Sequence, residues 1–455
     1  MKSFMPVSLA LALAAPLCAI AQNSPTTATE MQSLRQEIEA MRAAYEARLQ
    51  ALEQRLVAAE RVADAAPAAK MEPPSPSGGG GANSFNPAMS LILSGGYTRT
   101  SRDPNSYRIT GFQLPQGSGA GPGTRGFSLA ESELGLSANI DPWLRGVANI
   151  SLHPDDTVSV EEAFVQTTSL GSGLSVKAGR FFSGIGYLNS QHSHTWDFAD
   201  NPLAYQALLG TQFGDDGAQL SWLAPTDQYI ELGIELGRGR SFPGSDTGRN
   251  GAGMTAVTAH TGGDIGASHN WRAGLSVLNA KASGQGLNAI NTAGTLVSNA
   301  FTGSTRVWVL DGVWKWAPNG NATRTNFKLQ GEYLRSARNG NLSYDTAGVN
   351  VTDAYRAVQS GWYLQAIYQF MPEWRVGLRT ERLSAGTPTY GINTAALGIP
   401  SYEPSKNSLM LDYNPSEFSR VRLQFARDRS RQGLTDNQIF LTYQMSLGAH
   451  GAHSY

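Results

Sequence analysis

The stretch WYLQAIYQFMPEWRVGLRTER, Trp362 to Arg382, decides the fold because it has the pattern of two strands joined by a tight turn. In its first half, apolar side chains alternate with glutamines at a period of two, which is the spacing of a β-strand. The second half repeats the alternation, and its polar face carries ionised residues. These are Arg375, Arg379 and Glu381. The stretch therefore predicts a β-hairpin with one apolar and one strongly polar face.

The same alternation recurs along the chain, for example in VRLQFAR (residues 421–427) and IFLTYQMSL (residues 439–447). Ionised side chains such as Arg420 and Arg422 return on the polar face, and the apolar faces end in aromatic residues. This pattern indicates lipid outside and a wet lumen inside. Because an open sheet edge in hydrocarbon would leave backbone groups unpaired, the sheet must close. We predict an all-β fold, a transmembrane antiparallel β-barrel.

Candidate strands number about sixteen, an even number as expected of such barrels. Their connections alternate between short turns, such as IDPW, MPE and NPSE, and longer loops. The longer loops are predicted around residues 100–126, 182–216, 239–253, 281–303, 337–360 and 384–405. Short periplasmic turns and long outer loops are the rule for these barrels, so the alternation supports the count.

Three segments precede the barrel, which we place at residues 85–455. Residues 1–21 have the basic start, the short apolar run and the small-residue end of a secretory signal peptide. Residues 29–62 repeat apolar residues at 3,4 spacing with charged flanks, which predicts a periplasmic coiled coil. Residues 63–84 are rich in Pro, Ala and Gly and form a linker. A single amphipathic helix packed on the same chain is the alternative to the coiled coil.

Composition excludes several classes of protein. Charged residues make up 16% of the chain and the formal net charge is -1, which does not suit a nucleic-acid binder. The only cysteine, Cys18, lies within the signal peptide, so neither disulfides nor a thiolate metal site is expected in the mature chain. No H-E-x-x-H or G-x-S-x-G motif occurs. We expect no enzymatic activity and no required cofactor.

The segment 182–216 is a long connection without obvious strands, and such a loop needs a functional or structural reason. It carries His192, His194, Asp197 and Asp200. In extended backbone the two histidines point to the same side, and an aspartate of the loop could add an oxygen ligand, a set that suits zinc. The alternative is a loop packed through satisfied polar contacts. Zinc at His192 and His194 is therefore a hypothesis.

Several stretches carry a family resemblance, among them FNPAMSLILSGGYT (residues 85–98), GFSLAESELGLSANIDPWLRG (residues 126–146) and GDDGAQLSWLAP (residues 214–225). They resemble proteobacterial outer-membrane proteins labelled zinc-regulated or TonB-dependent receptors. More distantly, the chain is similar to phosphate-selective porins with an N-terminal coiled coil before a sixteen-stranded barrel. A TonB-dependent receptor needs a plug domain of over a hundred residues and about 22 strands, so we favour the porin. The resemblance implies that the third outer loop, 182–216, folds into the lumen.

We therefore expect a porin in the outer membrane of a Gram-negative cell, which passes small hydrophilic solutes or ions by diffusion. The aspartates of loop 182–216 would face arginines of the last strands across a constriction. The residues are Asp197, Asp200, Arg375, Arg379, Arg420 and Arg422. We expect contact with outer-membrane lipid, a homotrimer formed through barrel and coiled coil, and no nucleic-acid partner. The alternatives are a zinc-linked uptake receptor or metal-binding transporter, and a structural tether between outer membrane and cell wall.

Overall fold

The structure, a computed structural model, describes residues 87–448 except 247 and 249. In this part of the chain, sixteen antiparallel strands form one sheet, and the sheet closes because the first strand pairs with the last from Ser90–Gly448 to Thr100–Gln438. The predicted all-β barrel of sixteen strands is confirmed. The predicted signal peptide, coiled coil (29–62) and linker (63–84) lie outside the described residues, as does the end of the chain from residue 449.

The second strand is interrupted at residues 130–131, and its two pieces count as one because both pair with the first strand. The strands are β1 (Ala88–Thr100), β2 (Gly126–Leu129 and Ser132–Asn139), β3 (Leu144–Leu152), β4 (Val158–Thr167), β5 (Leu174–Phe182), β6 (Gly214–Leu223), β7 (Tyr229–Gly237), β8 (Met254–Ile265), β9 (His269–Ile290), β10 (Leu296–Trp316), β11 (Asn326–Tyr344), β12 (Val351–Met371), β13 (Trp374–Ser384), β14 (Ser405–Ser416), β15 (Ser419–Arg429) and β16 (Asp436–Gly448).

The barrel wall exposes apolar side chains and buries mainly polar ones, although Val307, Val309 and Leu334 are buried against L3. On β12, Trp362 and Leu364 are exposed whereas Gln365 is buried, as the alternation predicts. On β10, Trp308 and Leu310 are exposed below an exposed arginine, Arg306. This exterior is a belt that suits lipid, with aromatic side chains near its borders. None of the described helices is both long and apolar enough to cross a membrane.

Four neighbouring strands are taller than the sequence predicts. Strands β9 to β12 contain 22, 21, 19 and 21 residues, whereas β3 to β7 contain 9 or 10. The prediction of long loops at 281–303 and 337–360 is therefore wrong, since only residues 291–295 and 345–350 connect these strands. Beyond the lipid belt neither face needs to be apolar, so the alternation fades although the ladder continues.

Two loops from the long-loop end of the barrel fold into its lumen. They are L1 (residues 101–125) and L3 (residues 183–213), and L3 contains the helix α1, Leu203–Leu209. All seven residues of α1 are buried, with exposed fractions of 0–2%. Its apolar side chains form one core with side chains of L1 and of the wall. Members of this core are Ile109, Phe112, Leu203, Leu208, Val307, Val309 and Leu334. The lumen at this level is packed like a protein interior.

Proline and glycine mark the ends of α1. Pro202 precedes the helix, and Gly210 ends it in the left-handed conformation, with φ of 69°. Glycine adopts this backbone without the strain that a side chain would add, which is why it commonly follows the last helical residue. A Cβ at Gly210 would also lie 3.2 Å from Phe242 Cδ1. The sequence pattern predicts a connection without strands here, and the helix is an addition to that prediction.

Candidate channel constriction

A cavity of about 1290 Å³ lies between L3 and the short-turn end of the barrel. Its lining carries equal numbers of acidic and basic side chains. They are Glu133, Asp197, Asp264, Glu373 and Glu417 against Arg272, Lys315, Lys328, Arg375 and Arg420. The bases come from β9 to β15, whereas Glu133 comes from β2. The charges balance in number, and Asp197, Glu373 and Glu417 lie among the bases, whereas Glu133 faces them from another sector.

L3 is attached to the basic part of the wall through two aspartates. Asp197 Oδ2 lies 2.5 Å from Lys328 Nζ, and its Oδ1 lies 3.6 Å from Arg375 Nη1. Asp200 Oδ1 lies 2.7 Å from Arg379 Nη2, and its other oxygen pairs with Lys406 Nζ. These ion pairs are largely desolvated, so they hold the loop more firmly than surface pairs would.

Arginines of β15 bind the backbone of the same segment. Arg420 Nη2 donates to the His194 carbonyl at 2.7 Å, and Arg422 Nη1 donates to the Trp196 carbonyl at 2.9 Å. Arg422 also forms a bidentate ion pair with Asp412, with N–O distances of 2.7 and 2.9 Å. The six residues predicted for a constriction thus meet where L3 contacts β13 to β15.

The charge state of Asp200 follows from these partners. Burial alone would raise the pKa of its carboxyl, but Lys406 and Arg379 outweigh burial and hold that pKa below its ordinary value. Asp197 behaves similarly, because Lys328 and Arg375 lower its pKa against the effect of burial. Both loop carboxylates are therefore ionised at neutral pH.

Three further carboxylates, which are not among the residues predicted from the sequence, hold L3. Glu235 accepts from the Gly184 N–H at 2.9 Å, and Glu332 accepts from the Leu188 N–H at 2.8 Å. Glu381 accepts from the Leu203 N–H at 2.5 Å, at the start of α1. Hydrogen bonds to a carboxylate are stronger than neutral ones, so these three fix the backbone path of L3. Each is an acidic residue at an inward-facing strand position, and this position in the alternating pattern is the sequence feature that could have identified it.

The two histidines of L3 lie elsewhere, against β2 and β4. Their rings stack with centroids 5.6 Å apart, and both Nδ1 atoms approach Glu133. The oxygen partner expected from the loop itself is not there, because Asp197 and Asp200 pair with bases instead. Asp215 and Asp216, which were assigned to the same loop, belong to β6, and Asp216 pairs with Arg180.

Comparison with known proteins adds a relative and several structural neighbours. No family model matches the chain. It is 31% identical over 348 residues to an uncharacterized protein of Aquifex aeolicus (strain VF5), a match that spans 73% of this chain and 70% of the relative. Similar solved structures include three outer-membrane proteins. They are a loop L8 deletion mutant of OmpT from Vibrio cholerae (9% identity, TM-score 0.49, 80% of this chain and 99% of that one), an anion-selective porin from Comamonas acidovorans (11%, 0.48, 80% and 99%) and the outer-membrane channel DcaP of Acinetobacter baumannii (12%, 0.48, 80% and 96%). Because these TM-scores lie below 0.5, the fold assignment rests on the closed ladder of this chain.

Proposed function

We propose that this chain, which belongs to the family of the uncharacterized Aquifex aeolicus protein, is an outer-membrane channel for small hydrophilic solutes or ions. L3 would narrow this channel. The observation that carries the proposal is the inverted burial of a closed barrel, polar inside and apolar outside. A soluble barrel would bury the apolar face, so the surroundings of this one are lipid.

The lumen supports diffusion rather than chemistry. Its cavity of about 1290 Å³ has room for hydrated ions and small solutes, and its lining is charged. Lys315, Lys328 and Arg375 face it from one sector, whereas Glu133 faces it from another. Separated charges of this kind produce a field across the lumen that orients a passing solute. Because L1 and L3 fill the lumen at the level of α1, the route of a solute past L3 would be the narrowest part of the channel.

The orientation and assembly in this proposal follow from the same barrel. The short-turn end, where β1 begins and β16 ends, would face the periplasm, and the long-loop end the outside. We propose a homotrimer in the outer membrane, formed through the barrel and the coiled coil. Outer-membrane lipid would contact the exposed apolar belt.

The test is single-channel conductance of the purified mature protein in a planar bilayer. Steady ohmic steps are expected from the native chain. The double variant Asp197→Asn/Asp200→Asn should show larger and noisier steps, because L3 loses its ion pairs with the wall. Asp246→Asn is the matched control, since Asp246 is an exposed acid that pairs with Arg238 on the long-loop side. Absence of conductance in every variant would contradict the channel. If the native chain conducts and the double variant shows the same conductance steps, the proposed role of L3 would be contradicted, but the channel itself would not.

A further inference from the structure

A compact group of histidine and glutamate side chains joins L3 to strands β2 and β4. His192 Nδ1 lies 3.0 Å from Glu133 Oε2 and 3.0 Å from Glu161 Oε2. His194 Nδ1 lies 3.3 Å from the same oxygen of Glu133. One donor atom each from Glu133, Glu161 and His192 falls within 4.8 Å of the others. We call these four residues the L3 cluster.

The L3 cluster lies within a larger group of carboxylates. Glu162 adds a third carboxylate, with Oε2 at 2.9 Å from His192 Nε2, and nearby Glu131 adds a fourth. The five ion pairs of these four carboxylates run to His153, His192 and His194, and Lys177 lies near Glu162. Balancing the four carboxylates therefore requires every one of these bases to be charged. Burial makes an unbalanced carboxylate costly, and a divalent cation would stabilise the group without protonated imidazoles.

Glu133 provides an independent sign of a missing partner. The residue is only 6% exposed, and its Oε2 is shielded from solvent; the two nearby Nδ1 atoms lie 3.0 and 3.3 Å away, but neither is aligned for a hydrogen bond to it. This oxygen is directed between the Nδ1 atoms of His192 and His194. A buried carboxylate oxygen normally accepts a hydrogen bond or binds a cation. Two imidazole nitrogens and this oxygen therefore converge without satisfying it.

The spacing of the cluster fits a small tetrahedral ion. Zinc bonds of about 2.0–2.1 Å place neighbouring ligand atoms about 3.3 Å apart. The measured separations of 3.0, 3.0 and 3.3 Å lie close to that edge. A mixed set of imidazole and carboxylate donors suits zinc and its neighbours in the transition series, whereas Ca²⁺ and Mg²⁺ prefer oxygen alone.

The surroundings of His192 orient its ring for this task. Glu162 Oε2 lies 2.9 Å from Nε2, while Nδ1 faces Glu133 and Glu161; with the ring proton on Nε2, the lone pair of Nδ1 would point toward those two carboxylates. Glu162 is itself held by the Phe182 N–H at 3.0 Å and by Asn149 Nδ2 at 3.1 Å. A carboxylate behind a ligating histidine is the usual arrangement at metal sites.

We infer that Glu133, Glu161 and His192 bind one divalent transition-metal ion of the zinc class, with His194 as the adjacent fourth donor. The ion fastens L3 to β2 and β4. This inference does not depend on conduction, because binding is measurable on the detergent-solubilised barrel.

The experiment titrates Zn²⁺ calorimetrically into the chelator-treated, detergent-solubilised mature chain. His450 and His453 are changed to alanine throughout, so that the C-terminal tail GAHGAHSY adds no binding. One ion per chain is expected. His192→Ala and Glu133→Gln should each weaken binding by about a hundredfold or more, and Glu162→Gln by roughly tenfold to a hundredfold. Co²⁺ should give the visible absorption of a four-coordinate site, and millimolar Mg²⁺ should not compete.

His269→Ala is the matched control, because His269 lines the same cavity but stacks on Trp314, away from the cluster. The affinity of the His269→Ala variant for Zn²⁺ should equal that of the parent chain. Migration of the unheated barrel on a gel verifies that each variant is folded. No binding by the parent, or unchanged affinity in folded His192→Ala and Glu133→Gln, would overturn the inference and leave a proton-bridged cluster.

Discussion

At the scale of single residues, Asp200 is the side chain whose loss should cost the barrel most. It is 8% exposed and contacts Arg379, Lys406 and Gln424. Asp200→Asn takes one counter-charge from each of two buried cations, which then retain only Glu381 (for Arg379) and Asp428 (for Lys406). We predict that this substitution lowers the free energy of unfolding by about 3–5 kcal/mol, as expected for a broken buried ion pair. Urea titration of the refolded barrel, followed by tryptophan fluorescence, measures the loss.

The same carboxylate predicts a pH dependence. Because the pKa of Asp200 is lower in the folded barrel than in the unfolded chain, its stabilisation is fully present above the unfolded value of about 3.9 and is lost as the pH falls through the folded value. The stability gap between the native chain and Asp200→Asn should therefore be constant from pH 5 to 8 and narrow below about pH 4. A gap that narrows at pH 6 would contradict this assignment.

Residue identities in the site were partly readable from the sequence. The predicted loop aspartates and strand arginines do meet, because opposite charges on an inward loop and inward strand faces have few other partners. The acids beside His192 could not be predicted. Glu133 and Glu161 belong to other strands, and only the closed register brings them to the loop.

At the scale of elements, α1 should control how wide the lumen is. Its seven residues fill space among L1 and the walls, so replacing Leu203–Leu209 by a two-residue Gly-Ser link should raise single-channel conductance several-fold. The control deletes Thr394–Leu397, a short helix in the loop between β13 and β14. None of the four residues of this helix is buried. That deletion should leave conductance unchanged. Equal conductance in both folded variants would argue against a narrowing role for α1.

Elements were predictable where lipid imposes the alternation. The alternation predicts that β10 and β12 begin near residues 304 and 361, but these strands begin earlier, at Leu296 and Val351. In the upper parts of the tall strands, glycines and polar residues face both sides, as in KASGQG (residues 281–286) of β9. Such a stretch resembles a loop, although backbone pairing with neighbouring tall strands keeps it extended.

At the scale of the whole molecule, the exterior should behave as a lipid surface only over part of its height. Leu310 and Leu296 are both exposed on β10, at 57% and 64%. Leu310 lies within the belt, below Trp308, whereas Leu296 lies at the upper tip. Leu310→Arg should destabilise the barrel by about 2–4 kcal/mol in bilayers and Leu296→Arg by at most about 1 kcal/mol. Equal costs in the refolding equilibrium would contradict the belt.

Assembly can be tested on the segment outside the described residues. If residues 29–62 form the predicted coiled coil, their deletion should reduce the trimer seen on native gels, since helix pairing would no longer support the barrel contacts. A matched variant that removes only part of the linker, residues 63–76, should keep the trimer. An unaltered oligomer after deletion of 29–62 would count against the coiled coil.

The attachments of L3 have a mechanical consequence. The loop is bonded to β4, β7, β11, β13 and β15, so it spans the cross-section of the ring from several sides. An empty ring flattens easily when the surrounding bilayer is compressed sideways. Here any flattening must also stretch the hydrogen bonds between L3 and the wall, so L3 resists deformation of the barrel cross-section. The barrel should keep its round outline across membranes of different lateral tension.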